Sequence, residues 1–185
     1  MTSTNEAPSG TEPVTMMDFF MHLDYREPLA PVMLKYAEAL EGGRIIGHRC
    51  PQCGLVYVPP RGYCPICVVE TGDADELTLA DTGVVTNYTV ITPVQYYGQK
   101  ETEPYIRASV LLDGADTPLG QQDIRDIPVA EFRVGLRVRA EFRPPGERNV
   151  DELTNRWAGT GSCIARWVPT GEADVPAEKL KGGMF

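Results

Sequence analysis

CPQCGLVYVPPRGYCPIC, residues 50–67, decides the fold. It holds two C-x-x-C pairs separated by ten residues. Each pair lets two sulfurs on one tight turn reach the same ion, and the chain between them brings the two turns face to face, which makes a tetrahedral four-sulfur cage. Pro51 and Pro65 fix φ at the entrance to each turn, and Gly54 permits the positive φ that frees the backbone at its exit. The second pair is followed by Val68 where the first has glycine, so its turn is irregular. The spacing predicts that Cys50, Cys53, Cys64 and Cys67 bind one structural zinc. Zinc is favoured over iron because a short ribbon with no redox partner is usually structural. The plain alternative is four reduced, metal-free cysteines. A site closed by four protein sulfurs has no open coordination position, so no catalytic role is assigned to it.

On the N-terminal side, residues 1–15 are polar and rich in Thr, Ser, Pro and Glu, and read as a disordered tail. Residues 16–43 form an N-terminal helical segment: the apolar stretch MMDFFMHL (16–23), then helical spacing at Val32, Met33, Tyr36, Ala37 and Leu40, capped by Gly42-Gly43. Residues 44–76 are read as the zinc ribbon and end in an acidic loop. Strand patterns follow over 77–168. LTLADTGVVTNYTVIT (77–92) is rich in β-branched residues, with a turn at Asp81 to Gly83. Ile106, Ala108, Val110 and Leu112 alternate onto one face, LGQQDI (119–124) reads as a third strand, and VAEFRVG (129–135) as a helical turn closing at Gly135. Leu136, Val138, Ala140 and Phe142 make the clearest half-buried strand, and SCIARWV (162–168) the last. Residues 169–185 read as a loose C-terminal tail. Five strands with a helical turn between the third and fourth match an OB barrel. The fold class is mainly β: an N-terminal helix, a rubredoxin-like zinc ribbon and a five-stranded OB-fold barrel.

Composition narrows the function. The 185-residue chain carries 17 Lys and Arg against 26 Asp and Glu, a net charge of −9. Nucleic-acid binding rests on neutralising phosphates, so this balance argues against that partner. No apolar run reaches the roughly 18 residues of a membrane helix, and the N-terminus lacks a signal-peptide pattern. The expected setting is cytoplasmic.

No self-contained catalytic set stands out. His48, two residues before Cys50, is read as a solvent-facing strand residue, His22 as a packing or contact residue, and Cys163 as an inert core thiol. No phosphate loop is present, because GGRIIG (42–47) lacks the lysine and serine of a P-loop. Tyr88, Tyr96, Tyr97 and Tyr105 flank a long connection on the barrel. They belong to the barrel core and a partner-facing loop, with base stacking as the alternative.

The order of parts carries a resemblance. A helix precedes C-P-x-C-G, P-P-R and C-P-x-C, and TGVVTNYTVI (82–91) and LLDG (111–114) follow. Together they resemble the zinc-ribbon plus OB-fold family of acyl-CoA-associated proteins known as domain of unknown function 35, over residues 30–168. The resemblance implies a non-catalytic accessory subunit of a thiolase-like enzyme, either an aldolase of steroid side chains or a β-ketothiolase. It also implies a heterotetramer and an acyl-CoA ligand at the interface. Arg61 matches the P-P-R element and is a candidate contact to an acid or a CoA phosphate. Phe19 and Phe20 are candidate partner contacts, because exposed apolar groups mark interfaces. Val68, the long 144–161 loop and the extended tails depart from the family pattern. A nucleic-acid-binding zinc-ribbon/OB module is the alternative function.

Overall fold

Helix α1, Pro31–Glu41, opens on a proline, whose fixed φ and missing N–H suit the first helical turn. It closes as the glycine pair predicts. Gly43 takes φ +77°, its N–H donates to the Leu40 carbonyl at 2.9 Å, and the Arg44 N–H donates to the Ala39 carbonyl at 2.9 Å. Arg148 adds a donor from outside, with Nη1 2.8 Å from the Glu41 carbonyl at the negative end of the helix. Of the predicted apolar stripe, Tyr36, Ala37 and Leu40 are buried against the core and Val32 and Met33 are half-buried; Ala39 is buried as well.

The structure is a computed structural model, and it describes residues 21, 23, 28–93, 102–150 and 162–180. Phe19, Phe20, His22, Tyr96 and Tyr97 lie outside the described residues. Among the described residues, no helix is long and apolar enough to cross a membrane.

Strands β1 (Ile45–Arg49), β2 (Val56–Tyr57) and β3 (Glu76–Leu79) form an antiparallel sheet in the order β2-β1-β3. Ile45 pairs with Leu79 and His48 with both Glu76 and Tyr57. β1 is therefore the central strand, and all but its last residue are buried. The second sheet contains β4 (Thr82–Ile91), β5 (Tyr105–Leu112), β6 (Gln121–Ile124), β7 (Arg137–Phe142) and β8 (Ile164–Pro169), in the order β6-β5-β4-β7-β8. Of the predicted inward rows, Ile106, Ala108, Val110 and Leu112 on β5, Leu136 just before β7, and Val138 and Ala140 on β7 are buried, and Phe142 is half-buried. Gly83 is needed where β4 meets β5: a Cβ there would lie 2.5 Å from the Leu111 carbonyl oxygen.

The OB sheet is not closed by a backbone ladder, since β6 and β8 are its two edges. Side chains span the gap instead. Trp167 Nε1 donates to Gln122 Oε1 at 3.3 Å, and Gln122 Nε2 donates to the Leu119 carbonyl at 3.1 Å. The helical turn between the third and fourth barrel strands is a single 3-10 turn, Val129–Glu131. It ends short of Gly135 because Phe132 takes extended dihedrals and buries its ring.

Helix, ribbon and barrel share one core. Tyr36 and Leu40 from α1, Ile45, Ile46, Val56 and Val58 from the ribbon, and Val85, Ile106 and Trp167 from the barrel belong to a single buried cluster. Polar bonds fix the ribbon to the barrel: the Val56 N–H donates to Asp116 Oδ2 at 2.8 Å, and the Asp116 N–H donates to the Val56 carbonyl at 2.7 Å. Residues 170–180, read from the sequence as part of a loose tail, are docked. The Val175 N–H donates to the Gly135 carbonyl at 2.9 Å, Arg133 pairs with Asp174, Arg137 reaches Glu172 at 2.9 Å, and Leu180 of the short helix α2 (Ala177–Leu180) is buried. These acids sit in a segment with no apolar period, so only the arginines they meet reveal the docking.

Candidate metal centre

Each C-x-x-C forms one knuckle, and the two are built alike. The Cys50 N–H donates to the Leu55 carbonyl and the Cys64 N–H to the Val69 carbonyl, both at 2.8 Å. The Gly54 N–H returns to the Cys50 carbonyl and the Val68 N–H to the Cys64 carbonyl, both at 2.9 Å. Two backbone donors then point at each leading sulfur: Gln52 and Cys53 at Cys50 Sγ, and Ile66 and Cys67 at Cys64 Sγ, all at 3.4 Å. Donors aimed at sulfur stabilise thiolate.

The knuckles bring all four sulfurs within 4.8 Å of one another, with Cys53 Sγ and Cys64 Sγ 3.7 Å apart. Zn–S bonds of ~2.3 Å make a tetrahedron with edges of about 3.8 Å, so the set fits a zinc ion. Hydrogen bonding among the sulfurs sets the thiols apart. Donation from the Cys53 N–H lowers the Cys50 thiol to about 7. The neighbouring Cys53 sulfur, followed by burial, pushes Cys67 up to about 12. Cys67 therefore stays protonated at neutral pH unless a cation compensates. Among the described residues, these four cysteines are the one group of His, Cys, Asp and Glu placed to hold a metal ion.

Val68 takes φ +57°, the conformation that Gly54 takes at +76° in the first knuckle. The irregular position thus keeps the knuckle geometry and carries strain, because a β-branched residue disfavours this region. Its side chain is exposed, so little burial would be lost with it. Val68→Gly should stabilise the zinc-loaded chain by about 1 kcal/mol, the relief of left-handed strain less the backbone entropy of glycine. A thermal or urea melt with zinc present reads this directly.

His48 is not solvent-facing. It is buried, because the return of the chain at Thr71 and the ring of Tyr57 cover its face of the sheet. Its Nδ1 lies 3.0 Å from Thr71 Oγ1, and its ring meets Tyr57 edge-on at 6.1 Å between centroids. Burial lowers its pKa, against the opposing pull of Glu76, Asp75 and Asp73. Tyr57 also bonds to Thr71 Oγ1. Its hydroxyl pKa is raised by burial, with the charges of Cys64 and Cys50 adding to the effect. Thr71 and Tyr57 were not marked by any spacing; only the fold shows that they back the metal centre.

Cys163 is buried, as an inert core thiol should be, and burial raises its pKa. Tyr105 is buried against Arg125, whose guanidinium sits 3.9 Å over its ring, so it is not free to stack a base. Tyr88 is exposed and packs edge-on against Phe132 at 5.0 Å. Arg61 is exposed on the segment between the knuckles. A Cβ on the adjacent Gly62 would lie 3.7 Å from Val32 Cγ1, so the start of α1 abuts the second knuckle.

Residues 37–70 match the family model of the ChsH2 rubredoxin-like zinc ribbon domain, and residues 76–143 that of the ChsH2 C-terminal OB-fold domain. A DUF35 domain-containing scaffold protein of Methanocaldococcus jannaschii is 34% identical over 99 residues, covering 54% of this chain and 67% of that one. A scaffold protein of the same description from Methanothermobacter thermautotrophicus is 32% identical over 108 residues, covering 58% and 77%. Among solved structures, an Ltp2-ChsH2(DUF35) aldolase is similar at 24% identity and a TM-score of 0.49, covering 66% of this chain and 91% of that one. A DUF35 protein of unknown function from Sulfolobus solfataricus is similar at 23% identity and a TM-score of 0.48, covering 60% and 77%. The two domain matches and the identity to these scaffold proteins place the chain in the DUF35 family, built from a rubredoxin-like zinc ribbon and an OB fold.

Proposed function

We propose that this chain is a non-catalytic accessory subunit that docks onto a thiolase-like enzyme, an aldolase or β-ketothiolase acting on acyl-CoA thioesters. The zinc held by Cys50, Cys53, Cys64 and Cys67 shapes its docking surface. The observation that carries this reading is the convergence of four cysteine sulfurs: a tetrahedral ion held by all four would have no position left for a substrate. Metal chemistry is thereby confined to holding the ribbon together. The relatives in the archaeal genera above are scaffold proteins, which is the same kind of role.

Exposed apolar side chains support docking: Tyr63 and Ile66 on the second knuckle, Leu29 before α1 and Leu34 on it, with Arg61 exposed on the chain between the knuckles. Exposed apolar groups of this kind mark interfaces. Phe19 and Phe20 are assigned to the same contact, Arg61 to an acidic group or a CoA phosphate, and the assembly to a heterotetramer with the acyl-CoA at the interface. The pathway implied by the family resemblance is degradation of steroid side chains or aromatic acids.

Co-expression with a thiolase-like enzyme tests this. The expected result is a complex of two copies of each chain by light scattering, with no thioester turnover by this chain alone. Arg61→Ala should weaken the complex or its turnover about tenfold, the size of one charge-assisted contact. Turnover of an acyl-CoA by the isolated chain, or salt-sensitive binding to single-stranded nucleic acid in place of the enzyme, would overturn the reading.

A further inference from the structure

We propose that Thr71 is a positioning residue for the metal centre, whose hydroxyl locks the second knuckle onto the β1–β2 hairpin and so preorganises the four sulfurs. The inference rests on the zinc reading above.

Thr71 lies four residues past Cys67. Its N–H donates to the Gly62 carbonyl at 3.0 Å, just outside the bridge between Tyr63 and Glu70, so its backbone completes the base of the second knuckle. Its side chain points the other way. Thr71 Oγ1 is shared between His48 Nδ1, at 3.0 Å, and Tyr57 Oη. His48 and Tyr57 are register partners on β1 and β2, the two strands that present the first knuckle, and both are buried. Apart from the sulfurs themselves, the side-chain hydrogen bonds that join segment 62–72 to this hairpin converge, among the described residues, on that one oxygen.

A hydroxyl suits this junction because it donates to one neighbour while accepting from the other. Valine has the same shape and does neither. With valine, the side-chain hydrogen bonds that join the second knuckle to the hairpin, the sulfurs aside, would be lost among the described residues. Groups hydrogen-bonded directly to a metal's ligands change its affinity by about 10–100-fold; Thr71 acts one step further out, through the knuckle backbone, so the low end of that range is expected. A looser second knuckle would also let the sulfur tetrahedron distort.

The test uses the full chain loaded with zinc and a colorimetric chelator in excess. Thr71→Val should release zinc about tenfold faster than the wild type, and Thr71→Ser should restore the rate to within about twofold. With cobalt in place of zinc, the visible d–d bands should shift in Thr71→Val and return in Thr71→Ser, a readout that a general loss of stability would not move. Tyr57→Phe removes one arm of the junction and should fall between, which keeps the test open if the valine variant folds poorly. Thr78→Val, at an exposed position on β3, should behave as wild type. Wild-type release rates and cobalt bands in both Thr71→Val and Tyr57→Phe would overturn this proposal alone, whereas a wild-type chain that takes up no zinc would overturn both it and the metal reading.

Discussion

A Cys64→Ser chain should leave purification without stoichiometric zinc, while Cys163→Ser keeps about one zinc per chain. Cys64 is fully buried and receives two backbone donors, so its loss removes a ligand and leaves those N–H groups facing a poorer acceptor. Structural zinc contributes on the order of 10 kcal/mol to small ribbons, because the site forms only with the fold. The damage should be uneven. The strands beneath the knuckles contribute Ile45, Ile46, Val56, Val58 and Leu79 to the core shared with the barrel, and keep that burial without metal. The second knuckle exposes Tyr63, Ile66 and Val68 and has little apolar burial to hold it. Hydrogen exchange should therefore lose protection over 50–55 and 62–71 first, with the barrel strands following at a lower melting temperature than wild type. Acid should mimic the mutation. Cys67 rests at about 12 without metal, so zinc uptake releases its proton, and affinity falls as pH falls. A Cys64→Ser chain that still carried one zinc would remove the basis for the ribbon.

The metal centre was legible because its signal is local: two residues between the cysteines of each pair put both sulfurs on one turn, and ten residues between the pairs let the turns face each other. The helix was legible for a similar reason, since its stripe and its two glycines are local signals that tertiary packing had no cause to override. His48 was not. Its neighbours in sequence describe a strand, but its burial depends on Thr71, 23 residues later, and on the ring of Tyr57. The docked C-terminal segment was missed on the same ground. Asp174 and Glu172 look like solvated acids until Arg133 and Arg137 are placed opposite them. Burial across elements and pairing across long separations leave no periodic trace.

The open side of the barrel shows how the same logic leads to a test. Strand patterns predict five strands and say nothing about whether the last meets the third. It does so through Trp167, a buried side chain on one edge strand hydrogen-bonded to the buried Gln122 on the other. Trp167→Ala should cost about 3–5 kcal/mol, the usual range for deleting a buried tryptophan. In a chain of this length that lowers the melting temperature by roughly 6–20 °C. Trp167→Phe separates the two contributions: most of the ring packing stays and the N–H donor is lost, so about 1 kcal/mol should be lost on that account. If the indole bond is what joins the edges, Trp167→Phe and Gln122→Leu should be non-additive by at least about 0.5 kcal/mol in a double-mutant cycle. Additive losses would mean that the barrel is held shut by packing alone, with the polar pair merely satisfied by its surroundings. Zinc content should stay at wild-type levels in all three variants, because the sulfurs belong to the smaller sheet and this closure to the larger.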